Sequence, residues 1–564
     1  MPRRELSQPA GQWFTWLLLA AILLGGLILR IWGFRSGLPR VYNRDENVHF
    51  VLPAIQMFRD GWSSSSYDQT NPAALVYLLH FAFALRFGGG SQATNAFATD
   101  PAAVLETARL IVAVIATSAI GLVFLAGRAL LGHFVGLVSA AVLSVAFLAV
   151  FYGHLALNDA VAMAPVTLAL LGAALGLRRG RLRDYVLAGV GVGLAAATKY
   201  TAGIAIVPLL GALAVRLGAP GMRRTALRGA VLAALAGFVA FIVADPLAVL
   251  HLGDFRSALS RQALVTGEYA KLGVSEHSGV LYYLWTATWG FGWIPSLLAL
   301  VGAGFLIKDD RRAAAVLVPT PIVFILFIGA WERYFGRWLM PAFPALCLLA
   351  GYGALRLGQL ILARRPGWIG RAAVAAGLLA VLTQGAVYSV HNNLVVARAD
   401  TRGLTRDWMI GHIPAGSRIV LEPVVPKDWV RPIGSLERPD SSPWQVRFRL
   451  QGPEYYERYL KPALIDQYVA RGACWVITGS TESGRAQAQP DLVPHAVAYY
   501  HELARRGHVA FRSSPYDAGA QPVKFNFDWA FDYYPLAYHR PGPEMTVYRL
   551  SGGRCGVTGD GSRT

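Results

Sequence analysis

The chain has 564 residues, 54% of them hydrophobic and 15% charged, with a formal net charge of +19 at pH 7. A soluble chain averages about 25% charged residues, and the mean hydropathy here is +0.41. This composition excludes a disordered chain, a coiled coil and a disulfide-stapled mini-domain, and predicts a polytopic α-helical membrane protein. A charge of +19 also raises nucleic-acid binding, which the placement of the charges argues against.

Met-Pro-Arg-Arg precedes an apolar run from Trp13 to Phe34. The run is long enough to cross ~30 Å of hydrocarbon and lacks a small-residue cleavage site, so a retained first helix is expected. Further apolar runs lie at 105–127, 134–152, 160–177, 185–198, 201–217, 229–244, 279–307, 313–330, 338–358 and 371–390, which predicts eleven spans. The weakest division is at Lys199, where two short helices can also be one bent helix. Residues 72–87 are apolar but short and contain His80, so they read as a helix lying in the membrane surface. A second interfacial helix is expected from Asp45, because Val48, Val51, Leu52, Ile55 and Phe58 recur at helical spacing.

Lys and Arg in the connections set orientation. One set of loops carries eighteen of them, including Arg178, Arg179, Arg216, Arg223, Arg311 and Arg364, and the opposite set carries eleven. The richer set is therefore expected to be cytoplasmic, with the N-terminus inside and the C-terminus outside. Residues 1–391, the membrane part, carry 31 basic and 16 acidic residues, and residues 392–564 carry 21 and 17. The excess of +15 thus lies in the membrane part, mainly as an orientation signal.

From residue 392 the composition turns polar. Residues 417–423, 473–480 and 545–550 read as strands, and 464–472 and 497–507 as helices with a Gly stop. That predicts a small extracytoplasmic α/β domain ending in a disordered tail. Cys347 lies in an apolar run, whereas Cys474 and Cys555 fall in the polar domain and are able to pair there. The tract 524–543 is dense in aromatics (Phe525, Phe527, Trp529, Phe531, Tyr533, Tyr534, Tyr538) and reads as docking onto the interfacial belt rather than a sugar-contacting surface.

Three acids fall on the predicted external face: Asp45 and Glu46 in the first loop, and Asp159 at the start of a span. Each also suits a helix N-terminus, where a carboxylate caps free amide groups. Two acids facing one cavity are also able to orient and deprotonate a hydroxyl. Lys199 is the only basic residue between Arg183 and Arg216. A lone lysine at a span end commonly snorkels to the interface, but one facing the bundle suits a phosphate. Arg256, Arg261 and Lys271 follow in the next external loop, then Arg333, Tyr334 and Arg337.

Four stretches occur in order: Arg44-Asp45-Glu46, Asn158-Asp159, GLAAATKYTAG around Lys199, and RYFGRWLMPAFPALCLLAG over 333–351. Together they resemble polyprenyl-phosphate-sugar glycosyltransferases of the GT-C type, nearest to the protein O-mannosyltransferase-like and lipid A aminoarabinose transferase-like membrane enzymes. The tract HRPGPEMTVYRL over 539–550 is similar to endings of bacterial members. One departure stands out: where the aminoarabinose transferases carry Lys-Pro-Pro, this chain has Asn71-Pro72-Ala73.

The resemblance implies a polyprenyl-phosphate-sugar donor and a hydroxyl acceptor on a protein, lipid or glycan, with transfer by inversion. It implies Asp45 as general base, Glu46 and Asp159 in support, and Lys199, Arg256, Arg261, Arg333 and Tyr334 around the donor phosphate. No metal or other cofactor is required, although Asp45, Glu46 and His49 form a possible divalent-cation set. The rival readings are a transporter and a non-catalytic scaffold for the external domain. A transporter predicts repeated halves with matching broken helices, and the sequence shows none.

Overall fold

A computed structural model of the chain describes residues 9–61, 70–268, 278–423, 425, 427–430, 442–447, 456–526 and 534–555. Lys271, Phe527, Trp529, Phe531, Tyr533 and most of the expected disordered tail lie outside the described residues.

Among the described residues, nine helices are long and apolar enough to cross a membrane, or up to eleven if each of two bent pairs is one span. Their outward faces are apolar. On the helix Arg223–Ala244, for example, Val231, Leu235, Phe238 and Val243 are all exposed. Such a face is unstable against water and stable against lipid. The expected span at 134–152 is a bent pair, His133–Val145 and Phe147–His154, kinked by 62°. The expected span at 185–198 is the helix Leu182–Thr198, only 17 residues long.

Small residues hold that short helix in place. A Cβ on Gly189 would lie 2.1 Å from the Ala233 carbonyl, and one on Gly191 would lie 2.3 Å from the Ala169 amide. The helix is therefore packed at backbone distance against Asn158–Arg179 on one side and Arg223–Ala244 on the other. Close backbone approach of this kind is how membrane helices associate without a hydrophobic driving force. Gly180, in the left-handed conformation, ends the helix Asn158–Arg179, and the Arg181 amide donates to the Asp184 carboxylate at 3.3 Å at the start of the next helix. The result is a helical hairpin. Its geometry brings the start of one helix (Asn158, Asp159) level with the end of the other (Thr198, Lys199).

The first loop forms the helical segments Glu46–Val51 and Leu52–Asp60, close to where the spacing predicts a helix. The helix Ala74–Phe87 follows, and then Ser91–Thr99 after an 88° turn. The last membrane helix, Trp368–Val396, runs a few residues beyond the composition change at 392.

Outside the membrane part, the C-terminal domain (called the outer domain for that reason alone) holds, among the described residues, a five-stranded mixed sheet in the order β2-β1-β3-β5-β4. Its strands are β1 (Arg418–Leu421), β2 (Gln445–Arg447), β3 (Ala473–Gly479), β4 (His508–Ser513) and β5 (Met545–Arg549). β1 is parallel to β2 and β3, whereas β5 is antiparallel to β3 and β4. Helices Ala463–Ala470 and Pro494–Arg506 pack against it, as the sequence predicts. A disulfide joins Cys474 to Cys555 across a separation of 81 residues, and Cys347 is free and buried.

Among the described residues three glutamates are buried in this domain: Glu422, Glu457 and Glu482. Arg485 lies 3.6 Å from Glu457 and 3.3 Å from Glu482. The Tyr500 hydroxyl donates to Glu422 at 2.9 Å and the Gly479 amide at 3.1 Å. Burial pushes Glu422 from the ordinary value of 4.5 up to about 8, against the pull of those two donors. Glu482 is raised as well, again by burial first. A raised acid holds its proton in the folded state and releases it on unfolding. Stability is therefore full below pH 4.5 and is lost as the pH rises through about 8. Thermal unfolding of the full chain in detergent is expected to show a lower outer-domain melting temperature at pH 9 than at pH 5. Glu422→Gln is expected to shrink that difference.

Candidate functional site

Four separate segments bring a chain of alternating charges together. Asp45 caps the start of the helical segment Glu46–Val51 in the first loop, Asp159 lies in the first turn of the helix Asn158–Arg179, and Lys199 caps the end of Leu182–Thr198. Between the acids sits Arg337, on the 3-10 turn Gly336–Ala342. Its Nη2 donates to Asp45 Oδ2 at 2.9 Å, and its Nε lies 3.5 Å from Asp159 Oδ2. Lys199 Nζ donates to Asp159 Oδ1. The order is Asp45, Arg337, Asp159, Lys199, so each charge has an opposite neighbour.

Local chain chemistry fixes each member. At Lys199 the backbone leaves the helix and becomes extended, and the Thr198 carbonyl accepts from Asn158 Nδ2 at 2.9 Å. A 3-10 turn resumes at Tyr200. The broken helix thus fastens Asn158 to one strand of the hairpin and leaves Asp159 beside Lys199. Gly336 allows the Arg337 turn to approach Trp289, because a Cβ there would lie 3.0 Å from the indole. The Arg337 guanidinium lies 4.3 Å from the Phe335 ring centroid and 5.9 Å from that of Tyr152. Lys199 lies 5.8 Å from the ring of Trp338. These aromatic faces replace water around the cations.

Asp45 is the exposed end of the chain, with 39% of its side chain open, whereas Asp159 has 5% and Lys199 11%. His49 Nε2 lies 3.8 Å from Asp45 Oδ1. Burial favours the neutral acid, but Arg337, helped by His49 and Arg333, outweighs it and holds the Asp45 carboxyl below its usual value of 3.8. The group is a carboxylate at neutral pH.

Glu46 faces elsewhere. Its oxygens accept from Arg109 Nε and Nη2, both at 2.8 Å, and from the Ala156 amide at 2.9 Å. Arg109 also donates to the carbonyls of Phe34 and Ser36 at 2.7 and 2.9 Å. Glu46 is fully buried in this network. It ties the first loop to the helix Pro101–Leu130 and to the segment entering Asn158. The possible cation set Asp45, Glu46 and His49 does not fit, because both oxygens of Glu46 are taken by Arg109. Among the described residues no group of three or more His, Cys, Asp or Glu is arranged for a metal.

The remaining predicted residues are spread around the cluster. Tyr334 is buried in an aromatic stack, 4.6 Å from Tyr282 between ring centroids. Arg333 lies 5.4 Å from the Phe335 ring, on the opposite side of the turn's sequence from Arg337. Arg256 and Arg261 are exposed on the helix Leu252–Glu268. That helix touches the cluster's edge through Phe255, whose ring packs on Tyr200 at 5.6 Å. Arg337 and Arg109 are the two members that residue spacing did not single out.

The segments carrying Asp159, Lys199 and Arg337 continue together into the membrane part. There Val166, Leu170, Ile204, Pro208, Thr320, Phe324, Pro341 and Pro344 line a narrow apolar crevice. Val166 lies seven residues beyond Asp159, which is about 10 Å along a helix.

The architecture matches solved membrane proteins. The archaeal oligosaccharyltransferase AglB from Archaeoglobus fulgidus, in complex with an inhibitory peptide and a dolichol-phosphate, superposes with a TM-score of 0.53 at 12% identity, covering 92% of this chain and 75% of that one. The apo form of the Archaeoglobus fulgidus oligosaccharyltransferase gives 0.53 at 13% identity, covering 89% and 74%. ArnT from Cupriavidus metallidurans, bound to undecaprenyl phosphate, gives 0.49 at 15% identity, covering 89% and 96%. No curated protein matches the chain. The chain thus shares the polytopic membrane fold of these two archaeal oligosaccharyltransferase structures. Within it, residues 102–249 match the model of the dolichyl-phosphate-mannose-protein mannosyltransferase family, a segment that carries Asn158, Asp159 and Lys199.

Glu46→Ala leaves the Arg109 charge buried and unpaired. It is expected to cost about 3–5 kcal/mol, and replacing Arg109 by Met in the same chain is expected to recover part of that. Thermal unfolding of the two detergent-solubilised variants beside the wild type measures both.

Proposed function

We propose that the chain is a membrane glycosyltransferase that moves a sugar from a polyprenyl-phosphate donor to a hydroxyl acceptor on the extracytoplasmic side. The observation that carries this reading is the Asp45–Arg337–Asp159–Lys199 chain, with an apolar crevice lined by the segments that continue from Asp159, Lys199 and Arg337. A lipid-phosphate sugar has the same layout, with an anion at one end of an isoprenoid chain. The family matched over 102–249 is described by a lipid-phosphate mannose donor.

In this reading Lys199 and Arg337 hold the donor phosphate, with Arg333 and the exposed Arg256 and Arg261 at the cavity edge and Tyr334 packed behind the turn. Arginine presents five donors, so Arg337 is able to serve carboxylate and phosphate together. The acceptor hydroxyl sits on Asp45 and attacks the anomeric carbon from the face opposite the phosphate. The new carbon–oxygen bond forms as the anomeric carbon–phosphate oxygen bond breaks, which inverts the centre. The bonding pair leaves with the phosphate, giving polyprenyl phosphate, and the acceptor proton passes to Asp45.

A carboxylate held below its usual value is a weak base towards a free alcohol. Proton transfer therefore comes late, once the bond to the anomeric carbon has made the hydroxyl acidic. Charge appears on the leaving phosphate at the same moment, and cations already fixed in place stabilise it without reorganising.

The disulfide between Cys474 and Cys555 supports an extracytoplasmic outer domain, since disulfides persist in oxidising compartments. Mass spectrometry of alkylated protein from intact cells is expected to find these two cysteines linked. If both alkylate as free thiols, the domain faces the cytoplasm.

Asp45→Asn is expected to lower transfer by about 10²–10⁴-fold, the usual contribution of a positioned base. The test is mass spectrometry of membrane lipids from a deletion strain carrying either form. A polyprenyl-phosphate sugar accumulates with Asp45→Asn and not with wild type. Equal lipid profiles overturn the assignment.

A further inference from the structure

The first loop belongs to two hydrophobic cores at once. Val41 is buried in the core of the membrane part, while its neighbour Tyr42 packs against the core of the outer domain. Asp45 follows three residues later. Its amide donates to the Asn43 side chain at 3.2 Å, and the Glu46 amide donates to the Asn43 carbonyl at 3.2 Å. The place of Tyr42 thus sets where the turn carrying Asp45 begins.

Tyr42 is held by Arg402, whose guanidinium carbon lies 3.8 Å from the ring centroid. Arg402 is itself locked. Its Nε and Nη2 donate to Asp400 at 2.9 and 2.8 Å, and Asp400 also accepts the Arg402 amide at 2.8 Å to cap the helix Thr401–His412. The Trp429 indole donates to the Arg402 carbonyl at 3.2 Å. Thr401 is bonded to the carbonyls of Pro541 and Pro543. A Cβ on Gly542 would lie 2.6 Å from Asp400, so that segment runs hard against the acid. Such a desolvated cation–aromatic stack on a rigid pair is strong and directional. A surface contact made only to attach two domains has no need of a buried bidentate pair behind it.

We propose that the outer domain positions the catalytic carboxylate, with Arg402, fixed by Asp400, clamping Tyr42 and through it the Asp45 turn. This rests on the glycosyltransferase reading. Tyr42, Asp400 and Arg402 are positioning residues, and none of them touches the reacting atoms. The outer domain then acts as one wall of the active site. A domain that leaves the membrane part slows transfer even while the donor stays bound.

The experiment uses the full-length chain in a deletion strain, with Tyr42→Leu, Tyr42→Phe, Arg402→Ala and the Tyr42→Leu/Arg402→Ala pair. Leucine keeps an apolar side chain but removes the aromatic face, whereas phenylalanine keeps the face. Accumulated polyprenyl-phosphate sugar reports turnover, and binding of undecaprenyl phosphate to the purified chain reports donor affinity. Tyr42→Leu and Arg402→Ala are expected to slow turnover by about 10–100-fold with affinity within about twofold of wild type, as a small misplacement of a reacting group does. Tyr42→Phe is expected to match wild type. The double variant is expected to be no worse than the worse single one, since both remove one device.

Full turnover by Tyr42→Leu and Arg402→Ala, in a strain where Asp45→Asn does accumulate donor, overturns the clamp alone. Loss of affinity in step with turnover also overturns it, because that marks general damage. No effect of Asp45→Asn overturns the functional reading and the clamp with it.

Discussion

The structure depends on four charges that tolerate one another only as a set. Asp159 and Lys199 are almost wholly buried at the edge of the membrane part, where an isolated charge is costly. Alternation removes most of that cost. Arg337 satisfies both acids and Lys199 satisfies the inner one, so no member is left uncompensated. A buried ion pair is weak evidence for stability, because well-packed apolar residues often do as well. The gathering of these charges from four separate segments suits instead a site that offers charge to a ligand.

Everything around the set serves to hold it. The hairpin of Asn158–Arg179 and Leu182–Thr198 brings Asp159 level with Lys199, and glycines allow the backbones to approach. Glu46 and Arg109 fasten the first loop from the membrane side. Tyr42 and Arg402 fasten it from the outer domain. Asp45 therefore stands between two anchors and remains the most exposed member of the set. Preorganisation of this kind is what makes a charged site effective when charge develops on a substrate.

Much of the fold was legible in the sequence because apolar runs and turn signals are local. The spans, the outer α/β domain and three of its strands follow from composition and period. β2 and β4 were not legible, since β2 has three residues and β4 is largely exposed and lacks a buried face. At the site, Asp45, Asp159 and Lys199 stood out as rare charges near span ends. Glu46 looked like their partner because it adjoins Asp45. Neighbouring helical residues point about 100° apart, however, and Glu46 turns to Arg109. Arg109 looked like a charge at a span edge, and Arg337 looked like one more external base. Only the fold shows that these two arginines hold the acids. Arg256 and Arg261 were legible as external bases, but they lie on an exposed helix at the edge.

The central claim is that the buried cations hold a lipid phosphate while Asp45 handles the acceptor. The most direct measurement is the affinity of the purified full-length chain for undecaprenyl phosphate, compared across Arg337→Met, Lys199→Met and Asp45→Asn. The account predicts that either cation variant weakens binding by about tenfold or more, the loss of a charge-assisted hydrogen bond, while Asp45→Asn binds at least as tightly as wild type. Equal affinity in all four proteins would contradict it.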